Sequence, residues 1–344
     1  EHCAPELGAV LTAICELEEL LGFDKLDIEF AVDSNGLVHI FQVRPVVVNH
    51  DNYDLDPQQI SSSLATDVER FNQLQAKTLD CAGDFAIFAN MPDWNPAEII
   101  STRPKPLAFS LYQHLITNDI WAQQRAEFGY KDVRPCPLIV GFSGQPYVDV
   151  RASFNSFIPS NIDDSAKSRI VNAYLNILKD NPEYHDKVEF DVAFTIWTPE
   201  FRTKAAERLI PHGATNSDIE ELEKGLKDIT RNALSRLSDD IKSIKQLSDR
   251  LKLINESKTT HLDKAYVLLD DCRKFGTLAF SHAARAGFVA KSLLDSLISN
   301  GSITKERALD FQNSFDTVAG EFETDKFGYL KEEVTLEELT SKYG

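Results

Sequence analysis

The amino-acid sequence predicts an α+β protein that is predominantly α-helical. Two stretches, 21–48 and 135–150, carry β-rich residues on either side of turn-forming residues, which is typical of hairpins. From Pro199 onward, apolar residues recur almost throughout at helical spacing among many charges. We therefore expect short strands early and long paired helices late, in three domains that cover residues 1–50, 51–200 and 201–344.

Composition and charge argue against several classes of protein. The chain has 344 residues, of which 42% are hydrophobic, so it can bury a substantial core. Its 36 basic and 54 acidic residues give a net charge of −18, which argues against a nucleic-acid-binding surface. No apolar run approaches the length of a membrane span. The five cysteines are widely spread without a metal-ligand spacing, so we expect reduced thiols in a cytoplasmic protein.

The first elements are a helix and a hairpin. Apolar residues at helical spacing predict a helix over Ala9–Leu21, which Gly22 ends. The next residues predict two strands joined by a turn at Asp33-Ser34-Asn35-Gly36. A four-residue turn places Val32 opposite Leu37, so that Glu29 lies opposite Ile40 and Asp27 opposite Gln42.

The two faces of this hairpin differ in chemistry, because successive residues of a strand point to opposite sides. One face is apolar, and we expect it to pack against the first helix; it carries Ile28, Phe30, Leu37 and Phe41. The other face carries Asp27, Glu29, Gln42 and Arg44. Carboxylate and amide oxygens suit Mg²⁺, and a guanidinium suits phosphate, so this face could bind a metal-nucleotide. The alternative is an amphipathic hairpin whose polar face is only solvated.

The pattern Asp-Ile-Glu-Phe-Ala-Val-Asp, a turn and Ile-Phe-Gln-Val-Arg-Pro resembles the end of a known ATP-grasp domain. It is the nucleotide-binding domain of the phosphoenolpyruvate synthase and pyruvate phosphate dikinase family, to which rifampicin phosphotransferases also belong. The resemblance covers residues 1–50. It implies that Glu29 and Gln42 bind ATP and its Mg²⁺, and that Arg44 contacts the phosphates.

This resemblance also leads us to expect a fragment of a longer enzyme. In that family, further phosphate-binding residues precede the hairpin, and a phosphohistidine domain is also present. The expected partners are therefore a nucleotide and a small-molecule acceptor in the intact protein, together with an upstream ATP-grasp part and a downstream phosphohistidine domain. We expect no nucleic acid and no membrane as partners, and little or no catalysis by this chain alone.

The middle region combines helical and strand patterns. Helices are predicted over Pro57–Leu79, Leu107–Phe128 and Ser165–Leu178. A second hairpin turns at Ser143-Gly144, and its second strand would carry Tyr147, Asp149 and Arg151 on one face. Alternation predicts another strand over Val188–Trp197.

Two polar clusters in this region are candidates for an acceptor site. The first contains Asp149, Arg151 and Asn155, and the second contains His185, Asp186, Lys187 and Glu189. Arg151 could hold an anionic group while His185 or Asp186 handles a proton. The alternative is an ion-paired strand edge and loop.

The last region predicts helices over Asp218–Asn255, Leu262–Asn300 and Leu336–Tyr343, with Thr304 as an N-cap. Within the second of these, Ser281-His282-Ala283-Ala284 is similar to the Thr-Ser-His-Ala of the family's phosphohistidine domain. No double glycine precedes it, and the helical spacing runs through it. We therefore interpret His282 as a surface or hydrogen-bonded core histidine rather than a phosphate carrier.

Three hypotheses follow. The chain could contribute part of a Mg-ATP site and a linking or acceptor-binding domain to a phosphotransferase resembling phosphoenolpyruvate synthase. It could instead be a non-catalytic helical scaffold that spaces the nucleotide and phosphohistidine domains. The third is the acceptor-binding part of a rifampicin-phosphotransferase-like enzyme, which would need a roomy apolar pocket among the middle helices.

Overall fold

The structure, a computed structural model, describes residues 8–23, 25–33, 35–46, 56–76, 81–331 and 333–343. Helices predominate in these residues, and the strands form one two-stranded and one three-stranded antiparallel sheet. The predicted predominantly helical α+β class is therefore confirmed. The chain divides into two compact units, Glu1–Ser62 and Ser63–Gly344. The predicted three-domain boundaries stay predictions.

The first unit contains helix α1 (Gly8–Leu21), strand β1 (Leu26–Val32) and strand β2 (Val38–Pro45). Gly22 ends α1 in the left-handed region at φ 70°, as its position predicted. The hairpin also forms as predicted, but its turn is longer. The Asp33 carboxylate accepts hydrogen bonds from the backbone N–H groups of Asn35 at 2.8 Å and Leu37 at 2.9 Å. These bonds close the turn at the pair Val32–Val38.

The predicted register of the hairpin is wrong. Glu29 pairs with Gln42 and Asp27 with Arg44, and an irregularity lies between Glu29 and Phe30. The longer turn shifts the register by one residue, and this β-bulge shifts it by one more. Because the two shifts add to two residues, the polar residues still share one face. That part of the prediction is confirmed.

Helix α1 contacts β2, but the predicted composition of the other face is wrong. Val38, Ile40 and Val43, rather than Leu37 and Phe41, lie opposite the apolar residues of β1. Phe30 is 42% exposed and Phe41 is 70% exposed. In the part of the first unit that the structure describes, Val10 is the only buried apolar residue.

The second unit contains most of the helices. Helix α2 (Pro57–Gln75) spans the division between the units. The further elements are β3 (Phe88–Ala89), α3 (Pro96–Ile99), α4 (Pro106–Tyr112), α5 (Ile120–Phe128), β4 (Ile139–Phe142), β5 (Gln145–Asp149), α6 (Val150–Asn155), α7 (Asp164–Asp180), α8 (Phe201–Leu209), α9 (Asn216–Glu256), α10 (His261–Asp271), α11 (Leu278–Ser299), α12 (Lys305–Asn313), α13 (Val318–Leu330) and α14 (Leu336–Tyr343).

Three local predictions for the second unit are wrong. The single helix predicted over 107–128 is interrupted after a π-helical turn, Gln113–Thr117, because the Thr117 carbonyl accepts a hydrogen bond from Leu138 N–H at 3.0 Å. The strand predicted over 188–197 begins instead as a π-helical turn, Val188–Val192, in which both valines are buried. Arg151 lies in α6 rather than on a strand, since β5 ends at Asp149.

The core of the second unit joins its mixed and helical parts. One cluster of buried residues contains Val148 of β5, Phe154 of α6, Tyr174 of α7 and Leu222 of α9. Helix α9 starts at a capping box formed by Thr215 and Asp218, and it packs against α10 and α11. The predicted pairing of the long helices is therefore confirmed. None of the described helices is long and apolar enough to cross a membrane.

Candidate functional site

A cavity of about 340 Å³ lies in the second unit. Its walls come from the segment around α3, from α5, from the segment 186–190 and from α11. The lining residues are Met91, Pro92, Asp93, Trp94, Asn95, Glu98, Ile99, Gln124, Arg125, Asp186, Val188, Glu189, Phe190, Phe280, Ser281, Ala284, Arg285 and Phe288. A mostly apolar cleft with a few converging polar groups is typical of a small-molecule site.

Arg125 anchors one wall of the cavity. It is 2% exposed because it follows Trp121 by one helical turn, on the buried side of α5. Its Nη2 donates to Asp93 Oδ1 at 2.8 Å, and its guanidinium lies 4.0 Å from the centre of the Phe157 ring. Asp93 also accepts a hydrogen bond from Ser153 Oγ. The buried charge is thus neutralised by an equally buried carboxylate.

Arg285 forms a second buried ion pair on α11. Both of its terminal nitrogens donate to Glu189, and the Nη2–Oε1 distance is 3.2 Å. Burial opposes the charge on Arg285, but the adjacent Glu189 carboxylate outweighs burial and raises the pKa of Arg285. The guanidinium of Arg285 therefore keeps its positive charge. The ion pair also ties α11 to the π-helical turn at 188–192.

Polar atoms in the lining are left without partners. Gln124 is 3% exposed, and its Nε2 has no hydrogen-bond partner in the described part of the chain. The same is true of Nε in Arg125 and in Arg285. Each of these atoms has less than 1 Å² of accessible surface, so a ligand oxygen reaches it only after the side chain turns toward the cavity. Such a turn would be favourable, because a buried donor without a partner costs about 1–3 kcal/mol.

Aromatic rings provide most of the apolar lining. Trp94 and Phe280 lie with ring centres 6.1 Å apart, and Phe190 and Phe288 lie 5.7 Å apart. Trp94 has φ 47°, a left-handed conformation that is rare for a bulky residue. Its carbonyl accepts a hydrogen bond from Tyr112 Oη, which holds the backbone in this conformation.

The first predicted acceptor cluster lies in the core, away from this lining. Asn155 exchanges hydrogen bonds with the backbone of Ala82 at 2.9 and 2.8 Å. Arg151 donates to the carbonyls of Leu74 at 2.7 Å and Ala76 at 3.1 Å, at the end of α2. Asp149 caps α6, and burial raises its pKa. These contacts give all three residues structural roles, and an acceptor role for them stays a prediction.

The second predicted cluster borders the cavity. Asp186 and Glu189 line it, whereas His185 and Lys187 flank Asp186 without lining it. His185 Nδ1 lies 3.1 Å from the Pro182 carbonyl oxygen. The structure therefore does not bring His185 and Lys187 together with Arg151 in one site lining. Their direct contact with an acceptor stays a prediction.

The predicted ATP residues lie in the first unit. Arg44 Nη2 donates to Glu29 Oε1 at 2.7 Å, and Arg44 Nε lies 3.4 Å from Asp27 Oδ2, with all three side chains more than half exposed. No group of three or more His, Cys, Asp and Glu side chains is placed to hold a metal in the described ranges. Mg²⁺ usually takes only one or two protein ligands beside water and phosphate oxygens. Glu29 and Gln42 are cross-strand partners, and Mg²⁺ binding by them stays a prediction.

His282, within the segment Ser281-His282-Ala283-Ala284, is a buried and hydrogen-bonded histidine on α11, which is one of the two environments interpreted from the sequence. It is 5% exposed, and its Nε2 lies 3.0 Å from Glu127 Oε2. Its Nδ1 lies 3.3 Å from Asp240 Oδ1. This histidine joins three helices rather than lying on an accessible loop.

Sequence reasoning missed Asp93, Gln124, Arg125 and Arg285. A signal was available for Arg285, because Leu278, His282, Arg285 and Val289 follow one helical stripe. A charge inside such a stripe indicates a buried ion pair. The partner could not be read from the sequence, since Glu189 lies in a distant segment.

Comparisons of the chain with protein-family models, with curated proteins and with solved structures found no match. The site is therefore interpreted from its own geometry.

Proposed function

We propose that this chain is part of an ATP-dependent phosphotransferase that resembles phosphoenolpyruvate synthase, and that its second unit binds the small-molecule phosphoryl acceptor. The observation that carries this proposal is the cavity between α3, α5, the segment 186–190 and α11. Its aromatic lining and its unpartnered buried donors are the features expected of a ligand site.

The cavity favours the acceptor hypothesis over the scaffold hypothesis. A scaffold needs packed helices and gains nothing from two buried ion pairs beside an open apolar cleft, because buried charges are expensive to maintain. The cavity also supports the rifampicin-phosphotransferase-like alternative, which requires an apolar pocket among the middle helices.

In this proposal the β1–β2 hairpin binds the nucleotide and its metal ion. Glu29 and Gln42 would hold Mg²⁺, and Arg44 would exchange its carboxylate partners for phosphate oxygens. When bound, Mg²⁺ would neutralise the negative charge that develops on the transferred phosphoryl group. The support for this part is the resemblance together with the shared polar face.

The acceptor role is tested by filling the cavity. Ala284 lines it, whereas its neighbour Ala283 on α11 is exposed, so Ala284→Trp and Ala283→Trp form a matched pair. We expect the aromatic alcohol naphthylmethanol to bind the wild type and Ala283→Trp alike in ligand-detected NMR. Ala284→Trp should bind it at least about tenfold more weakly, which is about 1.4 kcal/mol. Equal binding by the two variants would exclude the cavity as the site and favour the scaffold.

A further inference from the structure

We propose that the ligand of this cavity is an organic cation: an amine on an aromatic or otherwise apolar body that also carries a hydroxyl or carbonyl oxygen. This inference rests on the proposed function, because it names the class of molecule that the acceptor site takes.

The first step is the charge balance of the lining. Arg125 and Arg285 are each neutralised by a carboxylate, Asp93 and Glu189 respectively. The lining contains two further carboxylates, Glu98 and Asp186, and neither has an ion-pair partner among the residues that the structure describes. Both carboxylates are exposed, so the solvent-accessible part of the lining is anionic even though two arginines lie in the walls of the cavity.

The second step is the aromatic surface. The pairs Trp94–Phe280 and Phe190–Phe288 belong to the same lining as these carboxylates. The face of an aromatic ring attracts a cation, and the attraction increases when water is excluded. Rings and unpaired carboxylates together are the usual surroundings of an ammonium group.

The third step is independent of charge. The Gln124 amide is buried in the lining, and its Nε2 lacks an acceptor in the described ranges. A turn of the amide toward the cavity would bring Nε2, which has less than 1 Å² of accessible surface, to a hydroxyl or carbonyl oxygen of the ligand and remove the cost of the unpaired donor. Since a phosphoryl acceptor needs an attacking group such as a hydroxyl, this feature agrees with the proposed function.

An anionic ligand is disfavoured by the same observations. A phosphate or carboxylate would have to displace Asp93 or Glu189 from a buried arginine and leave that carboxylate without its partner. It would also approach Glu98 and Asp186, on a chain whose net charge is −18.

The test compares three probes of one shape on the full chain at neutral pH: naphthylmethylamine, naphthylmethanol and naphthoate. We expect the amine to bind about fivefold to tenfold more tightly than the alcohol, and the carboxylate to bind most weakly. In Glu98→Gln/Asp186→Asn this preference should fall to about twofold or less, while the affinity for the alcohol is unchanged. The exposed pair Glu207→Gln/Asp310→Asn makes the same change in net charge away from the cavity, and it should keep the preference.

The outcomes separate the two proposals. Equal affinity for the amine and the alcohol, or tightest binding of the carboxylate, would overturn the cation inference and leave the cavity as a ligand site. Failure of all three probes to bind the wild type would overturn both proposals. Loss of the preference in the control pair would assign it to the overall charge of the chain and would overturn the assignment to Glu98 and Asp186.

Discussion

His282 lies where α5, α9 and α11 meet, and it contacts a charged residue on each of its two neighbours. Glu127 of α5 receives hydrogen bonds from His282, Gln123 and Arg236. The hydrogen bond with His282 is the main reason that the pKa of Glu127 falls to about 2, although partial burial acts in the opposite direction. This contact therefore stabilises the fold only while Glu127 is ionised.

The direction of the pH dependence follows from this depressed pKa. A carboxylate whose pKa is lower in the folded than in the unfolded chain stabilises the fold above its unfolded pKa, and the stabilisation is lost as the pH falls through the folded pKa. Glu127→Gln should therefore reduce the free energy of unfolding most near pH 6, and the difference from wild type should shrink between pH 4.5 and pH 2. Urea unfolding over this range measures the difference. Glu207→Gln, at an exposed position, is the control; a deficit of Glu127→Gln that stays constant with pH would contradict the assignment.

Some single-residue features of the site can be predicted from the sequence, and others cannot. His282 could be interpreted as a buried histidine because the helical spacing continues on both sides of it. The pairs Arg125–Asp93 and Arg285–Glu189 could not be predicted, because each joins segments that only the tertiary fold brings together. Ser153, Ser156 and Phe157 around Arg125 have no sequence signal of their own.

Helices were more predictable than strands in this chain. The N-cap at Thr304 lies where the sequence predicts it, since capping depends on neighbouring residues alone, whereas the capping box at Thr215 and Asp218 was not predicted. The pattern at 188–197 indicated a strand, but Val188 and Val192 are buried at helical spacing while Phe190 is 46% exposed. Alternation of residue types does not show which side chains the tertiary fold buries.

The hairpin shows why the pairing of residues across two strands is harder to predict than which residues share a face of the sheet. The longer turn and the bulge each shift the pairing by one residue, so the predicted partners were wrong. Face identity has a period of two, so both shifts together restored it. The metal-nucleotide prediction depends on the shared face and not on the individual partners.

The hairpin therefore gives a prediction of its own. If Arg44 contacts phosphates, Mg-ATP should bind the chain weakly, in the millimolar range, because the resemblance places only part of the nucleotide site in residues 1–50. Arg44→Ala should abolish this binding, whereas Arg70→Ala, an exposed arginine on α2, should not change it. Isothermal calorimetry measures both. Micromolar affinity in the wild type would contradict the partial site, and unchanged binding by Arg44→Ala would exclude its role.

In the whole molecule, the buried core and the proposed acceptor site are both in one unit. Apart from Val10, every buried apolar side chain of the described residues belongs to Ser63–Gly344. The core cluster also includes residues from both sides of position 200, such as Val192, Phe201 and Leu226. This continuity could not be predicted, since the change from mixed to helical composition near residue 200 does not show which helices cover the sheet.

Because the core lies in the second unit, two Phe→Ala substitutions should differ strongly in how much they lower the free energy of unfolding. Phe154 is fully buried and packs against Tyr174 with ring centres 5.4 Å apart, so Phe154→Ala should cost about 3–5 kcal/mol. Phe41 on the hairpin is 70% exposed, so Phe41→Ala should cost less than about 0.5 kcal/mol. Differential scanning calorimetry should show a clear fall in Tm for the first variant and almost none for the second. A comparable fall for both would mean that the hairpin contributes to the core.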